Sequence, residues 1–160
     1  MSTTPPSNRI EITPAGTFGA RTRGGPLLRA SMGMFVGMMR LFRGRGPFKG
    51  IALLTTVGAT SGKKRTAPVG AFPDGAGRWL VVGSNLGAAR HPAWFINLAR
   101  NPDQAEIELG GRTTKVTPAS LVGPERADAW QRVIKASPGF ARYEQMTDRL
   151  IPVVRLTSAS

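Results

Sequence analysis

Apolar positions recur along this chain with two different periods, and the change from one to the other falls near residue 50. Over residues 26–43, PLLRASMGMFVGMMRLFR, Leu28, Met32, Phe35, Met38, Met39 and Phe42 recur at steps of three and four, while Arg29, Gly33 and Arg40 fall off that stripe. This pattern predicts an amphipathic helix with Pro26 near its start. From residue 51 the chain reads as strands: IALLTTV (51–57), RTAPVGAF (65–72), RWLVVGS (78–84), AEIEL (105–109), RTTKVTP (112–118) and PVVRL (152–156) are rich in Val, Ile, Leu and Thr. Gly58 to Gly62, Pro73-Asp74-Gly75 and Gly110-Gly111 supply the turns between them. Further helices are expected at 91–100, with Pro92 at the first helical position and Asn101-Pro102 as the stop, at 124–137 and at 138–150. Consecutive antiparallel strands with a few intervening helices predict an α+β fold and not a doubly wound parallel sheet. The expected core is a small antiparallel barrel of about six to seven strands, with flanking helices and the amphipathic helix at the N-terminal side.

Residues 1–25 hold Pro5, Pro6, Pro14, Gly16, Gly19, Gly24 and Gly25 with little periodicity. They read as a flexible arm, leaving 26–160 as one domain. No apolar run follows the start as a secretory signal requires, so the protein is expected in the cytoplasm. In the helix at 26–43 only 10 uncharged residues separate Arg29 from Arg40, far short of the roughly 20 that cross a bilayer. Its apolar stripe has two uses open to it. It either packs on the core or lies in a membrane interface with Arg29, Arg40, Arg43 and Arg45 among the headgroups, a peripheral contact through residues 26–45.

Composition narrows the chemistry. The 160 residues contain no cysteine and one histidine, which excludes disulfide scaffolds, thiolate zinc sites and cysteine nucleophiles and argues against a metal centre or a histidine triad. Lys and Arg number 22 against 9 Asp and Glu, a net charge of +13. That excess is +7 in residues 1–50, +5 in 51–100 and only +1 in 101–160. An anionic partner is implied for the first 100 residues: nucleic acid, a membrane surface or a small ligand of several negative charges.

Two segments concentrate candidate chemistry. In TTVGATSGKKRTAP, Thr55 to Pro68, an apolar strand leads into Gly58, Thr60, Ser61 and Gly62 beside Lys63, Lys64 and Arg65. Glycines that expose backbone N–H groups, two hydroxyls and three consecutive cations fit a phosphate or polycarboxylate cradle. The same residues also fit a basic hairpin turn that keeps a sheet edge soluble. A Walker loop is excluded, because a strand and not a helix follows. In GSNLGAARHPAWFINLARNP, Gly83 to Pro102, a strand ends at Ser84-Asn85 and a loop with Gly87, Ala88 and Arg90 leads to a helix start at His91-Pro92, a second anion site. Trp94 and Asn97 lie three apart on that helix and can line one pocket wall, although an isolated tryptophan is more often core. His91 reads as a helix cap or a solvent-facing residue.

Together with the paired glycines before RTTKV and the ending PGFARYEQMTDRLIPVVRL, these ordered motifs closely resemble the deazaflavin-dependent nitroreductase family, also described as F420H2-dependent quinone reductases of the split β-barrel superfamily. The resemblance covers about residues 26 to 157. It implies a split β-barrel that binds coenzyme F420, a deazaflavin with a phosphate and an oligoglutamate tail, and that transfers a hydride from F420H2 to a quinone, nitroaromatic or activated enone. The family's TTxGxxSGxxRxxP loop falls on Thr55, Thr56, Gly58, Ser61, Gly62, Arg65 and Pro68, implied to hold phosphate and tail together with Thr60, Lys63 and Lys64. Ala59 and Thr60 stand where many members carry two basic residues, so the charge here is shifted to Lys63 and Lys64. The family's SNxGxxxHPxWxxN segment falls on Ser84, Asn85, Gly87, His91, Pro92, Trp94 and Asn97, implied with Ala88 and Arg90 to wrap the deazaflavin ring and ribityl chain. Ser137, Phe140 and Tyr143 occupy places where the family often carries substrate-facing tyrosines.

Hydride transfer places most of the chemistry in the cofactor and needs no histidine or carboxylate pair from the protein. Ser84 or Tyr143, or water, is expected to hydrogen-bond the acceptor oxygen, with Phe140, Trp94 and the helix at 26–43 as an apolar wall. Two other readings fit parts of the sequence. A nucleic-acid module accounts for the charge but lacks the interleaving of basic and aromatic residues of RNA-binding folds. A split-barrel binder of flavin or haem without reductase activity accounts for the fold.

Overall fold

In a computed structural model that describes residues 9–21, 25–43 and 45–159, six strands form a closed barrel in the order β1-β2-β3-β6-β5-β4. They are β1 Ile51–Val57, β2 Lys64–Pro73, β3 Arg78–Val82, β4 Ala105–Leu109, β5 Arg112–Ser120 and β6 Val153–Ser158. Every neighbouring pair is antiparallel, and β4 closes the barrel on β1 with Leu54 opposite Ile107. Gly110 and Gly111, with φ of +60° and +80°, make the two-residue turn between β4 and β5, a conformation in which the right-handed twist of the two strands continues through the turn.

The strand at 51–57 is apolar without alternation because both of its faces are covered. Ala52 and Leu54 point into the barrel, where they meet Val69, Ala71, Val81, Ile107, Val116, Val154 and Leu156. Leu53 points outward onto Met39 and Phe48. Helix α2, Ala93–Arg100, plugs the barrel with Phe95 and Leu98, neither of which is exposed at all. Full burial of a phenylalanine or leucine side chain contributes about 1.5–3 kcal/mol. Helix α3, Gly123–Ala136, lays Ala129, Trp130 and Val133 over the outer faces of β3 and β6, against Leu80, Val82 and Val153.

Helix α1, Pro26–Phe42, behaves differently from the other helices. Met39 is its one buried residue. Phe35 and Phe42 both meet Phe48, at ring-centroid distances of 5.5 and 5.8 Å, and Arg40 pairs with Glu108 of β4 at 3.2 Å. Met32, Phe35, Val36 and Met39 therefore form the face turned to the barrel. Leu27, Met34 and Leu41, spaced seven apart, stay exposed on the opposite face, so the helix has two apolar faces instead of one.

Several boundaries differ from the sequence expectation. Pro92 is the extended residue before α2, which begins at Ala93. The strand expected at 78–84 ends at Val82. The helix expected over 138–150 is a short turn, Pro138–Phe140, followed by α4, Ala141–Met146. Thr147 is extended, with φ −146° and ψ 150°, because the residues after it are drawn into contacts with the N-terminal segment. Part of the expected N-terminal arm, residues 9–21, is among the described residues. Residues 9–21 run along the domain as a strap: the amide of Ser120 donates to Arg9 at 3.1 Å, that of Gly16 to Ala89 at 2.8 Å and that of Ala20 to Gly87 at 3.0 Å. Gly19 is required there, since a Cβ would lie 2.3 Å from the Ala89 nitrogen. The rest of the expected arm, residues 1–8 and 22–24, lies outside the described residues.

Candidate functional site

The basic segment forms the turn between β1 and β2. Thr56 pairs with Arg65 and Val57 with Lys64, which leaves residues 58–63 to make the reversal. The Gly58 amide donates to the Lys63 carbonyl at 2.8 Å, the Gly62 amide to the Gly58 carbonyl at 3.0 Å, and the Ser61 hydroxyl accepts from the Lys63 amide at 3.2 Å. Helix α2 fixes this turn from beneath. The Asn97 amide donates to the Thr56 hydroxyl at 3.1 Å and accepts from the backbone N–H of Ala59 at 3.0 Å, while Asn101 donates to the Val57 carbonyl at 3.2 Å. Asn97 thus reaches the pocket wall, as its spacing suggested, but spends both ends of its amide on positioning the turn.

Beside the turn lies a cavity of about 820 Å³. Thr56, Gly58, Thr60 and Ser61 line it from β1 and the turn, Lys64 and Arg65 from β2, Trp94 and Asn97 from α2, and Arg29, Met32, Gly33 and Val36 from α1. Arg29 and Gly33, which fall off the apolar stripe of the sequence, therefore face the cavity. Three cations and no carboxylate line it. Lys64 has a loose partner in Glu106 at 3.9 Å with its own side chain 72% exposed, a pair too solvated to cancel its field. Trp94, Met32 and Val36 give an apolar wall. Such a space suits a ligand that combines a ring system with several negative charges. Trp94 and helix α1 share this wall. Phe140 does not join it, because it packs edge-on against Phe72 and Tyr143 at 5.6 and 5.5 Å. Ser137, half-buried at the end of α3, begins the turn that carries Phe140. Gly62 and Lys63 belong to the same turn and Pro68 to the same strand, but none of these three lines the cavity.

The second constellation, Ser84 to Pro92, does not line that cavity. It is organised by a residue that the sequence reading missed. Arg149 is buried, and its guanidinium donates to the carbonyls of Ala88 at 3.0 Å, Gly83 at 2.9 Å and Ser84 at 2.9 Å, and to Nδ1 of His91 at 2.9 Å. Asn85 adds a side-chain bond to the Arg90 carbonyl at 3.0 Å. Because Arg149 can only donate, His91 Nδ1 must accept, so the proton sits on Nε2 and is donated to the Thr13 carbonyl at 2.7 Å. His91 is therefore neither a cap nor solvent-facing. It joins the loop to the strap, and no side-chain cap is present on α2. Arg90 and His91 line a shallower hollow of about 580 Å³ with Ile12, Thr13 and Ile96, and Ile96 also borders the larger cavity.

Next to Arg149, Asp148 accepts from the Thr17 amide at 2.8 Å and the Thr17 hydroxyl at 2.5 Å. The hydroxyl bond, with the amides of Thr17 and Phe18, holds its carboxyl below the usual aspartate value. Asp148 and Arg149 therefore bind the strap and the loop from adjacent positions. In the sequence they sat inside a segment read as helix, and only the pairing of opposite charges at 148–149 marked them.

The similarities to known proteins agree with this geometry. A family model described as F420H(2)-dependent quinone reductase matches residues 32–158. An F420H(2)-dependent quinone reductase of Mycobacterium tuberculosis is 38% identical over 108 residues, 66% of this chain and 71% of its own length. The solved structure of an F420-H2 dependent reductase, FDR-A, shares 37% identity at a TM-score of 0.61, covering 68% of this chain and 94% of its own. Campylobacter jejuni ChuZ, at 16% identity and a TM-score of 0.51 over 86% of this chain and 55% of its own, shares the fold alone.

Burial is the largest influence on His91 and, with the neighbouring Arg149, holds its pKa below the ordinary 6.5, against the bond to Thr13 that raises it. The folded protein thus prefers the neutral ring more than the unfolded chain does. The stability this supplies is complete above pH 6.5 and is lost as pH falls below that value. Urea unfolding between pH 7.5 and 5 is expected to show a falling stability in the wild type and a flatter profile in His91→Gln; parallel profiles for the two proteins would contradict this role.

Proposed function

The chain belongs to the F420H(2)-dependent quinone reductase family, and from that premise we propose that it is an F420H2-dependent reductase that passes a hydride to a quinone, with nitroaromatics and activated enones as further acceptors of the same electrophilic kind. The observation that supports this most directly is the 820 Å³ cavity with three cations, no carboxylate and a wall of Trp94, Met32 and Val36. The residues present fit the cofactor: a deazaflavin with a phosphate and a carboxylate tail offers a flat ring to the apolar wall and anions to Lys64, Arg65 and Arg29. When bound, the reduced deazaflavin supplies the hydride.

The chain's own contribution is to bind, orient and exclude water. Thr56, Gly58, Thr60, Ser61, Lys64 and Arg65 hold the anionic end from the cavity wall, and Gly62, Lys63 and Pro68 shape the same turn and strand from outside that wall. Trp94 and Asn97 meet the ring end from the cavity wall, the loop of Asn85, Gly87, Ala88, Arg90, His91 and Pro92 bounds it from outside that wall, and Ser84 or Tyr143 donates a hydrogen bond to the acceptor oxygen as negative charge develops there. His91, the one histidine of the chain, has both ring nitrogens engaged, which leaves no imidazole free for a haem iron and favours the reductase reading over a haem binder.

Membrane contact is part of the same proposal. Leu27, Met34 and Leu41 are 85, 70 and 79% exposed on the outer face of α1. Arg43 and Arg45 follow the C-terminal end of that helix, and no Asp or Glu occurs between residues 12 and 73. No helix among the described residues is long and apolar enough to cross a membrane. The helix instead lies along an anionic surface, at which a lipid-soluble quinone is reached.

Two experiments test these readings. Titration with F420 and with FMN is expected to give saturable one-to-one binding of the deazaflavin that weakens with salt; Lys64→Ala and Arg65→Ala each raise its Kd about tenfold. Tight binding of FMN with none of F420 would overturn the assignment. In flotation with vesicles of anionic phospholipid, the wild type is expected to float and the triple variant Leu27→Ser, Met34→Ser, Leu41→Ser to remain in the dense fraction. Equal behaviour of the two would remove α1 as the contact.

A further inference from the structure

The loop clamped by Arg149 carries one residue whose identity its conformation does not explain. Asn85, Leu86 and Gly87 lie consecutively in the left-handed region, with φ of 45°, 54° and 78°. Glycine and asparagine tolerate that region, whereas for leucine the Cβ crowds the following carbonyl. A leucine that accepts such crowding is ordinarily repaid by burial, yet Leu86 is 65% exposed. The loop is fixed from several sides, by the three carbonyl bonds of Arg149, by Asn85 on the Arg90 carbonyl, and by the Ala88 amide on the Asn85 carbonyl at 3.0 Å. An exposed apolar side chain is therefore held at one place at local expense, which is the pattern of strain kept for contact with another molecule.

Its surroundings indicate what that molecule is. Gly87 packs so closely on α4 that a Cβ there would lie 2.7 Å from the Met146 Cβ, so Met146, itself 42% exposed, stands beside the loop. Tyr143 lies one helical turn before Met146, on the same side of α4. Phe18, also exposed, is held beside Thr147, whose hydroxyl donates to the Phe18 carbonyl at 2.8 Å. An apolar patch thus adjoins a phenol and the Ser84 backbone at the end of the barrel, on the loop that bounds the ring end of the cofactor in the reading above and away from the cationic turn that holds its anions.

We propose that Leu86, with Met146 beside it, is the apolar contact for the ring of the electron acceptor and determines preference for larger aromatic acceptors. This rests on the quinone-reductase reading above. Leucine gives a fixed surface and methionine an adaptable one, a combination suited to flat rings of different outline.

Leu86→Gly separates the proposal from a structural role, because the two predict opposite signs. Glycine relieves the left-handed strain, so the variant is expected to melt at a higher temperature than the wild type. In steady-state reduction of menadione by F420H2 its KM is expected to rise about tenfold with kcat nearly unchanged, while the Kd for F420H2 stays the same. Leu86→Asn, which also tolerates the left-handed region, and Met146→Gln are expected to raise KM in the same direction, and all three to affect unsubstituted 1,4-benzoquinone less than menadione. An unchanged menadione KM in all three, a shift in the F420H2 Kd in place of KM, or a lower melting temperature for Leu86→Gly would each overturn the proposal. A wild type that binds F420H2 but reduces no quinone would overturn the parent reading and this one with it.

Discussion

A guanidinium taken out of water needs acceptors around it, and Arg149 finds one for each of its three nitrogens without a carboxylate bond. Three backbone carbonyls and the imidazole of His91 surround it. Leaving such a group buried and unpaired costs several kcal/mol, so the carbonyls of Gly83, Ser84 and Ala88 are brought to one point by the need to solvate it. From that point the constraint spreads. The loop 83–88 is bent into a left-handed run, His91 is fixed in one tautomer and donates to Thr13, and the adjacent Asp148 collects Thr17 and Phe18. Strap, loop and the link between α4 and β6 become one body at one end of the barrel.

The other half of the molecule is built around α2. The same short helix that fills the barrel with Phe95 and Leu98 sends Asn97 and Asn101 to the β1–β2 turn and Trp94 to the cavity wall. Core packing and site geometry are thereby coupled: a shift of α2 moves the wall and the cationic turn together. Helix α1 closes the cavity with its inner face and leaves an outer apolar face uncovered. Of the positive charge in the first 100 residues, Arg29, Lys64 and Arg65 sit at the cavity.

Much of this was legible in the sequence because it depends on local rules. Six strand segments, the Gly110-Gly111 turn and the helices at α1, α2 and α3 follow from periodicity and turn residues. Thr56, Gly58, Thr60, Ser61, Lys64, Arg65, Trp94 and Asn97 meet around one cavity as the two motifs suggested. What escaped depends on long-range partners. Residues 9–21 have no periodicity because they pair irregularly with positions as distant as Ser120 and Asp148. Arg149 resembles any helix-surface arginine until the loop from residue 83 is folded over it. The two faces of α1 escaped because apolar spacing does not say which face meets the barrel. Ser137, Phe140 and Tyr143 form their own cluster over β2, which spacing could not separate from the cavity.

In this structure Arg149 holds the strap and the 83–88 loop as one unit, and the barrel stands without it. Native-state hydrogen exchange of Arg149→Met against the wild type tests this directly. The amides of Gly16, Ala20, Gly87 and Ala88 are expected to lose protection together while those of Leu54 and Ile107 in the barrel keep theirs. Loss spread equally over barrel and loop, or protection unchanged at all six, would contradict it.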